Sequence, residues 1–148
     1  MADPKGVLVE NGPPSAPADI LDGLSNSILV VEDAGRPAHW IRGGRGPTNS
    51  FPGGGNANVV NGRVTGAGWA DPANSVPLHG FTTDGLKCPG PCPINCTNNN
   101  EAFAFHTNGT NAAFADGSVR FLRETIGIRV YAALVTRAGG EIISAGDF

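Results

Sequence analysis

Residues 101–122 read EAFAFHTNGTNAAFADGSVRFL, and this stretch decides the expected fold. The dipeptides Asn108-Gly109 and Asp116-Gly117 are strong signals for two-residue hairpin turns, and alternating apolar residues flank them. The pattern predicts a three-stranded antiparallel meander whose aromatic side chains share one face, because side chains alternate along a strand. That face comprises Phe103, Phe105, Phe114, Val119 and Phe121.

Regular elements are predicted on both sides of this meander. Residues 125–137 carry apolar side chains at helical spacing, and Gly139-Gly140 is expected to end that helix. The tail, Glu141–Ile143, is expected to add an edge strand. Upstream, the β-branched run Ser27–Glu32 is apolar on both faces, which predicts a strand in the centre of the sheet.

The N-terminal half predicts a linker followed by long loops. Residues 1–18 are Pro-rich and are expected to form a linker with an edge strand at Lys5–Glu10. Residues 19–148 are expected to form a single domain, and a short helix is expected at Ser15–Leu24. Gly, Pro and Asn dominate residues 33–80, which predicts irregular loops with short strands near Asn58–Val64. The expected class is α+β, with a small antiparallel sheet and one or two short helices.

Composition narrows the classes of partner. The chain has 148 residues, with 10 Lys and Arg against 13 Asp and Glu, which gives a net charge of -3. It has no stripe of basic residues to neutralise phosphates, so a nucleic-acid partner is not expected. The longest purely apolar run, Ile28 to Val31, is much shorter than the ~20 residues that a membrane span requires.

Three cysteines lie in the segment KCPGPCPINCTNNN at positions 88, 92 and 96. The favoured interpretation is one disulfide and one free thiol, with Cys92 and Cys96 paired because a turn at Pro93–Asn95 brings them close. Zinc or copper bound with His79 or His106, or three free thiols, are the alternatives. A disulfide favours a secreted, periplasmic or cell-surface location, where the environment is oxidising.

Three segments together resemble a large bacterial family of prepilin-like secreted proteins of unknown function. These are ADILDGLSNSILVVEDAGRP, CPINCTNNNEAFAFH, and FHTNGTNAAFADGSVRFL followed by RVYAALVTRAGGEII. The hallmark of that family is a histidine, nine residues and Asp-Gly, which here are His106 and Asp116-Gly117. Members are similar to the major pseudopilin of type II secretion systems, which implies a pseudopilin-like globular domain. Members of that family begin with a long hydrophobic helix, through which a membrane contact is expected, and residues 1–18 do not have the pattern of such a helix. Cys88 and Thr107 depart from the family pattern.

His106 and Asp116 invite an interpretation as an acid/base pair. In the predicted meander they are about five residues apart along a strand at ~3.4 Å each, so they cannot share a proton directly. Asp116-Gly117 is therefore expected to be a structural turn with positive φ at both positions. His106 is expected to hydrogen bond to a neighbouring loop, with a catalytic or metal-binding role as the alternative.

Calcium is the cofactor that the sequence favours most. Asn98, Asn100 and Glu101 belong to a dense run of oxygen donors beside the expected disulfide, and Ca²⁺ prefers such ligands. A site there needs another carboxylate, for which Asp84 is the first candidate and Asp71 and Asp33 are the others. The resemblance adds that major pseudopilins bind calcium in a C-terminal loop. The alternative is that the asparagines only form turns and caps.

The leading functional hypothesis is an extracytoplasmic pseudopilin-like domain for assembly or surface interaction, stabilised by calcium or the disulfide. It implies protein partners or self-association. The first alternative is a small metal-dependent hydrolase of activated esters or lactones, with calcium or a transition ion assisted by His39, His79 or His106. The second is a carbohydrate-binding module that stacks sugars on Trp40 and Trp69.

Overall fold

The computed structural model describes residues 5–9, 11–68, 70–71, 74–144, 146 and 148. Within them lie seven short strands and one α-helix, and two 3₁₀ turns precede the first strand. In chain order the elements are the 3₁₀ turns Pro17–Asp19 and Leu24–Asn26, β1 (Ile28–Val31), β2 (Trp40–Ile41), β3 (Gly44–Arg45), β4 (Val59–Val60), β5 (Arg63–Val64), β6 (Gly109–Phe114), β7 (Val119–Arg123) and α1 (Ile128–Val135).

The main sheet has three antiparallel strands in the order β1-β6-β7, and two separate two-stranded hairpins, β2-β3 and β4-β5, lie in the loop region. The chain is therefore a small α+β domain with mostly antiparallel sheets, as the sequence predicts. The short strands near Asn58–Val64 are confirmed as β4 and β5. Among the described residues no helix is long and apolar enough to span a membrane.

The turn between β6 and β7 differs from the prediction by one residue. Ala113 pairs with Val119 and Asn111 with Phe121, which leaves a three-residue loop with Gly117 at φ 84°. Asp116 does not share the positive φ that was expected of it. A Gly in the left-handed region is typical of three-residue hairpin loops. Because a one-residue shift of register turns side chains to the opposite face, the prediction of one shared aromatic face is wrong.

The expected first strand of the meander is not formed. Residues 101–106 lie outside the named strands, and β6 pairs instead with β1, so that β6 and not β1 is the central strand. Phe103 forms a parallel bridge with Asp33, donating to the carbonyl of Glu32 at 2.9 Å. The β-branched run of β1 is the strand partner of β6. Residues 102–104 are held instead by isolated backbone bridges and by the side chain of Asn95, which accepts from the amide of Ala104 at 2.8 Å.

The apolar core lies between the sheet and α1. Its nine buried residues come from all these elements and from the loops: Ile28, Ile94, Ala102, Ala112, Phe114, Leu122, Ile126, Tyr131 and Leu134. The predicted helix at 125–137 is confirmed in a shorter form. It ends at Val135, before Gly139-Gly140, because Thr136 adopts an extended conformation and the amide of Arg137 donates to Lys5 at 3.0 Å.

Three peripheral predictions are wrong. The helix expected at Ser15–Leu24 is replaced by the two 3₁₀ turns, since Gly23 between them has a φ of 97°, outside the helical region. The segments 5–9 and 141–143 form no strand; Glu10 lies outside the described residues. The Asp22 carboxylate instead accepts hydrogen bonds from the amides of Gly139 and Gly140, which fixes the start of the tail.

Candidate functional site

A ridge of aromatic side chains separates two open cavities on the surface. Phe105 is 63% exposed. Its ring packs edge-on against Trp40, with 5.2 Å between centroids, and against Phe103, with 5.6 Å. We call these three residues the Phe105 ridge. A cavity of about 370 Å³ on one side includes Trp40, Arg42 and Glu124 in its lining. The cavity on the other side, of about 320 Å³, includes Glu32, Asp33 and His106.

The outer face of the main sheet is apolar and exposed. Val30, Ala113 and Val119 lie side by side across the three strands. Val30 is 55% exposed, Val119 67% and the nearby Phe121 45%. We call these four residues the outer sheet face. The ring centroid of His106 lies 6.5 Å from that of Phe121. His106 follows Phe105 in the chain, so it lies between the Phe105 ridge and the outer sheet face.

His106 belongs to a hydrogen-bonded cluster at the end of β1. Its Nε2 lies 3.4 Å from Glu32 Oε1 and 3.3 Å from Asn111 Nδ2. Glu32 also accepts hydrogen bonds from the Asn111 amide at 2.7 Å and from Thr110. Burial raises the pKa of Glu32, but these hydrogen bonds outweigh it and lower the pKa below its ordinary value. The expected partner of His106 is a neighbouring loop, whereas the observed partners are Glu32, at the end of β1, and Asn111, in β6. These contacts link the segment that carries Phe105 to the main sheet.

Asp116 serves its own hairpin loop. Its Oδ1 accepts hydrogen bonds from the amide and the hydroxyl of Ser118, at 2.9 and 2.6 Å, and these lower the pKa of the carboxyl. Arg120 pairs with it at 3.7 Å. His106 contacts Asn111, five residues before Asp116 along the hairpin, so the two side chains have separate partners. The arrangement supports the structural interpretation of Asp116-Gly117.

Residues 92–104 are buried without interruption, although much of this segment is polar. Its asparagines satisfy the backbone of distant loops. Asn98 accepts from the amide of Trp40 at 2.9 Å and donates to the carbonyls of Ala34 and Ala38. Asn99 likewise accepts from the amide of Ala57 at 2.8 Å and donates to Gly54. We call residues 95–101 the polar hub, because their side chains hold together segments that form little regular structure.

Two acidic side chains, Asp33 and Glu101, are buried in or beside the polar hub, and the sequence related them only as candidate calcium ligands, without their partners Arg36 and His79. Asp33 forms an ion pair with Arg36 at 2.6 Å. Among the described residues, neither carboxylate oxygen of Asp33 accepts a hydrogen bond. Glu101 contacts Nδ1 of His79, and its side chain is 2% exposed. No spacing of charged residues in the sequence indicates these pairings, because they depend on burial.

Burial dominates the protonation of both acids. It raises the pKa of Asp33 to about 7, although the Arg36 charge opposes this effect. It also raises the pKa of Glu101 to about 7, against the effect of His79. The pKa of Tyr131 is raised as well, by its burial and by the charges of these two acids. The two carboxyl groups, one arginine and one histidine therefore form a coupled buried cluster whose charge changes near neutral pH.

The predicted disulfide is present. Cys92 and Cys96 are bonded, with 6.3 Å between their Cα atoms, and Cys88 is free and half-buried. Arg42 approaches the pair, with its guanidinium Nη2 3.9 Å from Cys92 Sγ. The disulfide closes the turn that leads into the polar hub.

The residues proposed for calcium do not form a ligand set. The side-chain oxygens of Asn98 and Asn100 accept from Trp40 and Arg36, and Glu101 contacts His79. Asp84 is exposed and accepts from Thr82 and from the amide of Leu86 in its own turn. In the described part of the chain, no three His, Cys, Asp or Glu residues could together hold a metal ion. Calcium binding stays a prediction to which this arrangement lends no support.

Of the remaining candidates, one is buried, one belongs to the Phe105 ridge and one lies outside the described residues. His39 is buried, with Nδ1 2.8 Å from the carbonyl of Pro47. Trp40 forms part of the ridge, and the guanidinium of Arg45 covers its ring at 4.5 Å from the centroid. Trp69 lies outside the described residues.

Comparison with known proteins gives one match. The family described as "Protein of unknown function (DUF1559)" matches residues 1–129. No curated protein and no solved structure matches the chain.

Proposed function

The chain belongs to the DUF1559 family, and we propose that it is an extracytoplasmic, pseudopilin-like domain that assembles through the Phe105 ridge and the outer sheet face. The relation to pseudopilins rests on the three sequence segments quoted above. Assembly is taken as contact with further copies of this chain.

The exposure of Phe105 carries the proposal. A phenylalanine ring that stays in water forgoes roughly 1.5–3 kcal/mol of burial free energy. Phe105, Phe121 and Val119 all face solvent, while the small core of the same domain buries Phe114 and Leu122 completely. Exposed apolar surface of this kind is typical of sites of protein interaction.

The local architecture supports a preorganised surface. The ring of Phe105 is fixed between Trp40 and Phe103, and the cluster of His106, Glu32 and Asn111 holds the adjacent backbone. Binding through side chains that are already ordered costs less conformational entropy. The Cys92–Cys96 disulfide favours an oxidising compartment, which supports the extracytoplasmic location.

Sedimentation velocity over a range of concentrations tests the assembly. The expected result is a concentration-dependent shift to larger species, which Phe105→Ser combined with Phe121→Ser abolishes. Leu21→Ser is the matched control, since Leu21 is also highly exposed but lies outside both surfaces. A wild-type protein that stays monomeric at every concentration, or a double variant that associates like the control, contradicts the proposal.

A further inference from the structure

Three cysteines share one small cluster at the start of the buried segment. The bonded Cys92 and Cys96 pack with Phe81 in a buried group, and the free Cys88 packs against that group. Cys92 is 6% exposed and Cys96 1%, while Cys88 is half-buried. Thiol–disulfide exchange proceeds from a thiol that packs against the group containing the disulfide, and of the three cysteines Cys88 is the most exposed.

Arg42 makes the two sulfurs of the disulfide unequal. Its guanidinium Nη2 lies 3.9 Å from Cys92 Sγ, and its backbone amide donates to the carbonyl of Cys96 at 2.8 Å. A neighbouring cation stabilises a thiolate, and a sulfur with a stabilised thiolate leaves faster in exchange. Cys92 is therefore the better leaving group, and Cys96 is the sulfur to be attacked.

We propose that these three cysteines form an exchange site for low-molecular-weight thiols, with Cys88 as the point of entry. The Cys88 thiolate attacks Cys96 Sγ, so that a Cys88–Cys96 bond forms while the Cys92–Cys96 bond breaks. The electron pair of the broken bond goes to Cys92 Sγ beside Arg42, and the proton of Cys88 passes to solvent. No net oxidation or reduction occurs in this step.

An external thiol completes the sequence through the exposed position. Its thiolate attacks Cys88 Sγ, which forms a mixed disulfide and releases the Cys96 thiolate. A second external thiol then displaces Cys88 and leaves as the small-molecule disulfide. Two thiols are oxidised and the protein disulfide is reduced to a dithiol, and the reverse sequence restores it. This activity is independent of the assembly surface.

The position of the free thiol reports the exchange directly. Wild-type protein is incubated at pH 9, because burial and the charge of Glu101 raise the pKa of Cys88. Samples are quenched with acid and alkylated with N-ethylmaleimide, and fragment-ion mass spectrometry locates the label. The expected result is a label that starts on Cys88 and spreads to Cys92 with time. A label that stays on Cys88 alone at every time overturns the proposal.

Two variants test the roles of single residues. Cys88→Ser is expected to slow reduction of the disulfide by reduced glutathione several-fold, since the remaining sulfurs are buried; an unchanged rate removes Cys88 as the entry point. Arg42→Gln is expected to lower the share of label on Cys92, whereas the matched variant Arg45→Gln leaves it unchanged. Equal shares in both variants contradict the role of Arg42 as the group that activates Cys92.

Discussion

The polar hub directly precedes Phe105 in the chain, yet the hub buries polar side chains while Phe105 exposes an aromatic one, the reverse of the usual burial pattern. Residues 95–101 bury asparagines, a threonine and a glutamate, whereas Phe105 and His106 immediately afterwards face solvent. In a loop-rich domain the backbone amides and carbonyls that no strand satisfies need buried side-chain partners. The polar hub therefore serves stability, and the exposed aromatic surface remains available for contact with other molecules.

The largest expected effect comes from removing an amide of the polar hub. Asn98→Ala leaves the amide of Trp40 and the carbonyls of Ala34 and Ala38 without their partner. We expect it to lower the free energy of unfolding by about 3 kcal/mol or more, because each unsatisfied buried group costs about 1–3 kcal/mol. Asn49→Ala, at an exposed position, is the control and should change it by less than about 0.5 kcal/mol. Chemical denaturation measures the free energy of unfolding of both variants. Equal losses would show that the buried hydrogen bonds of Asn98 stabilise the fold no more than an exposed asparagine does.

The second effect is a dependence of stability on pH. Because the folded-state pKa values of Asp33 and Glu101 are raised to about 7, the folded protein binds more protons than the unfolded chain. The contribution of these two acids to stability is therefore fully present below their unfolded-state pKa values and is lost as the pH rises through 7. Between pH 5 and pH 8 we expect a loss on the order of 2–3 kcal/mol for each acid taken alone, and less than the sum for both, because the Glu101 charge contributes to the raised pKa of Asp33. Glu101→Gln should flatten the profile and Glu124→Gln should not; a melting temperature that rises over this range refutes the assignment.

The third effect separates stability from association on the exposed surface. Phe121→Ser should lower the free energy of unfolding by no more than about 1.5 kcal/mol, since the side chain is already 45% exposed in the folded monomer. It should nevertheless weaken self-association. In the core the balance is opposite, and Phe114→Ala should cost about 3–5 kcal/mol. If Phe121→Ser destabilises the monomer as much as Phe114→Ala does, the outer sheet face is part of the core.

The smallest expected effect concerns calcium. The oxygens of Asn98, Asn100, Glu101 and Asp84 already contact protein groups, so we expect the melting temperature to stay unchanged when EDTA is added or calcium is restored. Differential scanning fluorimetry and elemental analysis of the purified protein measure this. A stoichiometric calcium ion whose removal lowers the melting temperature would mean that the polar hub rearranges around a metal.

Local signals in the sequence predicted the elements better than their arrangement. The run at β1, the helical spacing in α1 and the Asp116-Gly117 turn each appear where the pattern places them. The predicted register of β6 and β7 is wrong by one residue because, of the Asp116-Gly117 pair, only Gly117 has a positive φ. The Asp-Gly signal in the sequence does not distinguish a two-residue turn from a three-residue turn. The predicted strand partner of β6 is also wrong, because tertiary contacts determine whether β6 pairs with β1 or with residues 101–106.

The candidate site was predicted only in part. The Cys92–Cys96 bond is confirmed, whereas His106 contacts Glu32 and Asn111 of the sheet rather than a separate loop. The ion pair of Asp33 with Arg36 and the contact of Glu101 with His79 depend on burial, which no spacing of charges in this sequence reveals. The exposure of Phe105 was missed because it follows from the missing first strand of the meander.

Photo-crosslinking tests the assembly surface most directly. p-Benzoylphenylalanine replaces Phe121 in one protein and Leu21 in another, and each is irradiated in the producing cells at native expression levels. The account predicts a crosslinked species at position 121 in which mass spectrometry identifies two copies of this chain, with none at position 21. The account is contradicted if position 121 gives no crosslink to a second copy, or if positions 121 and 21 crosslink equally.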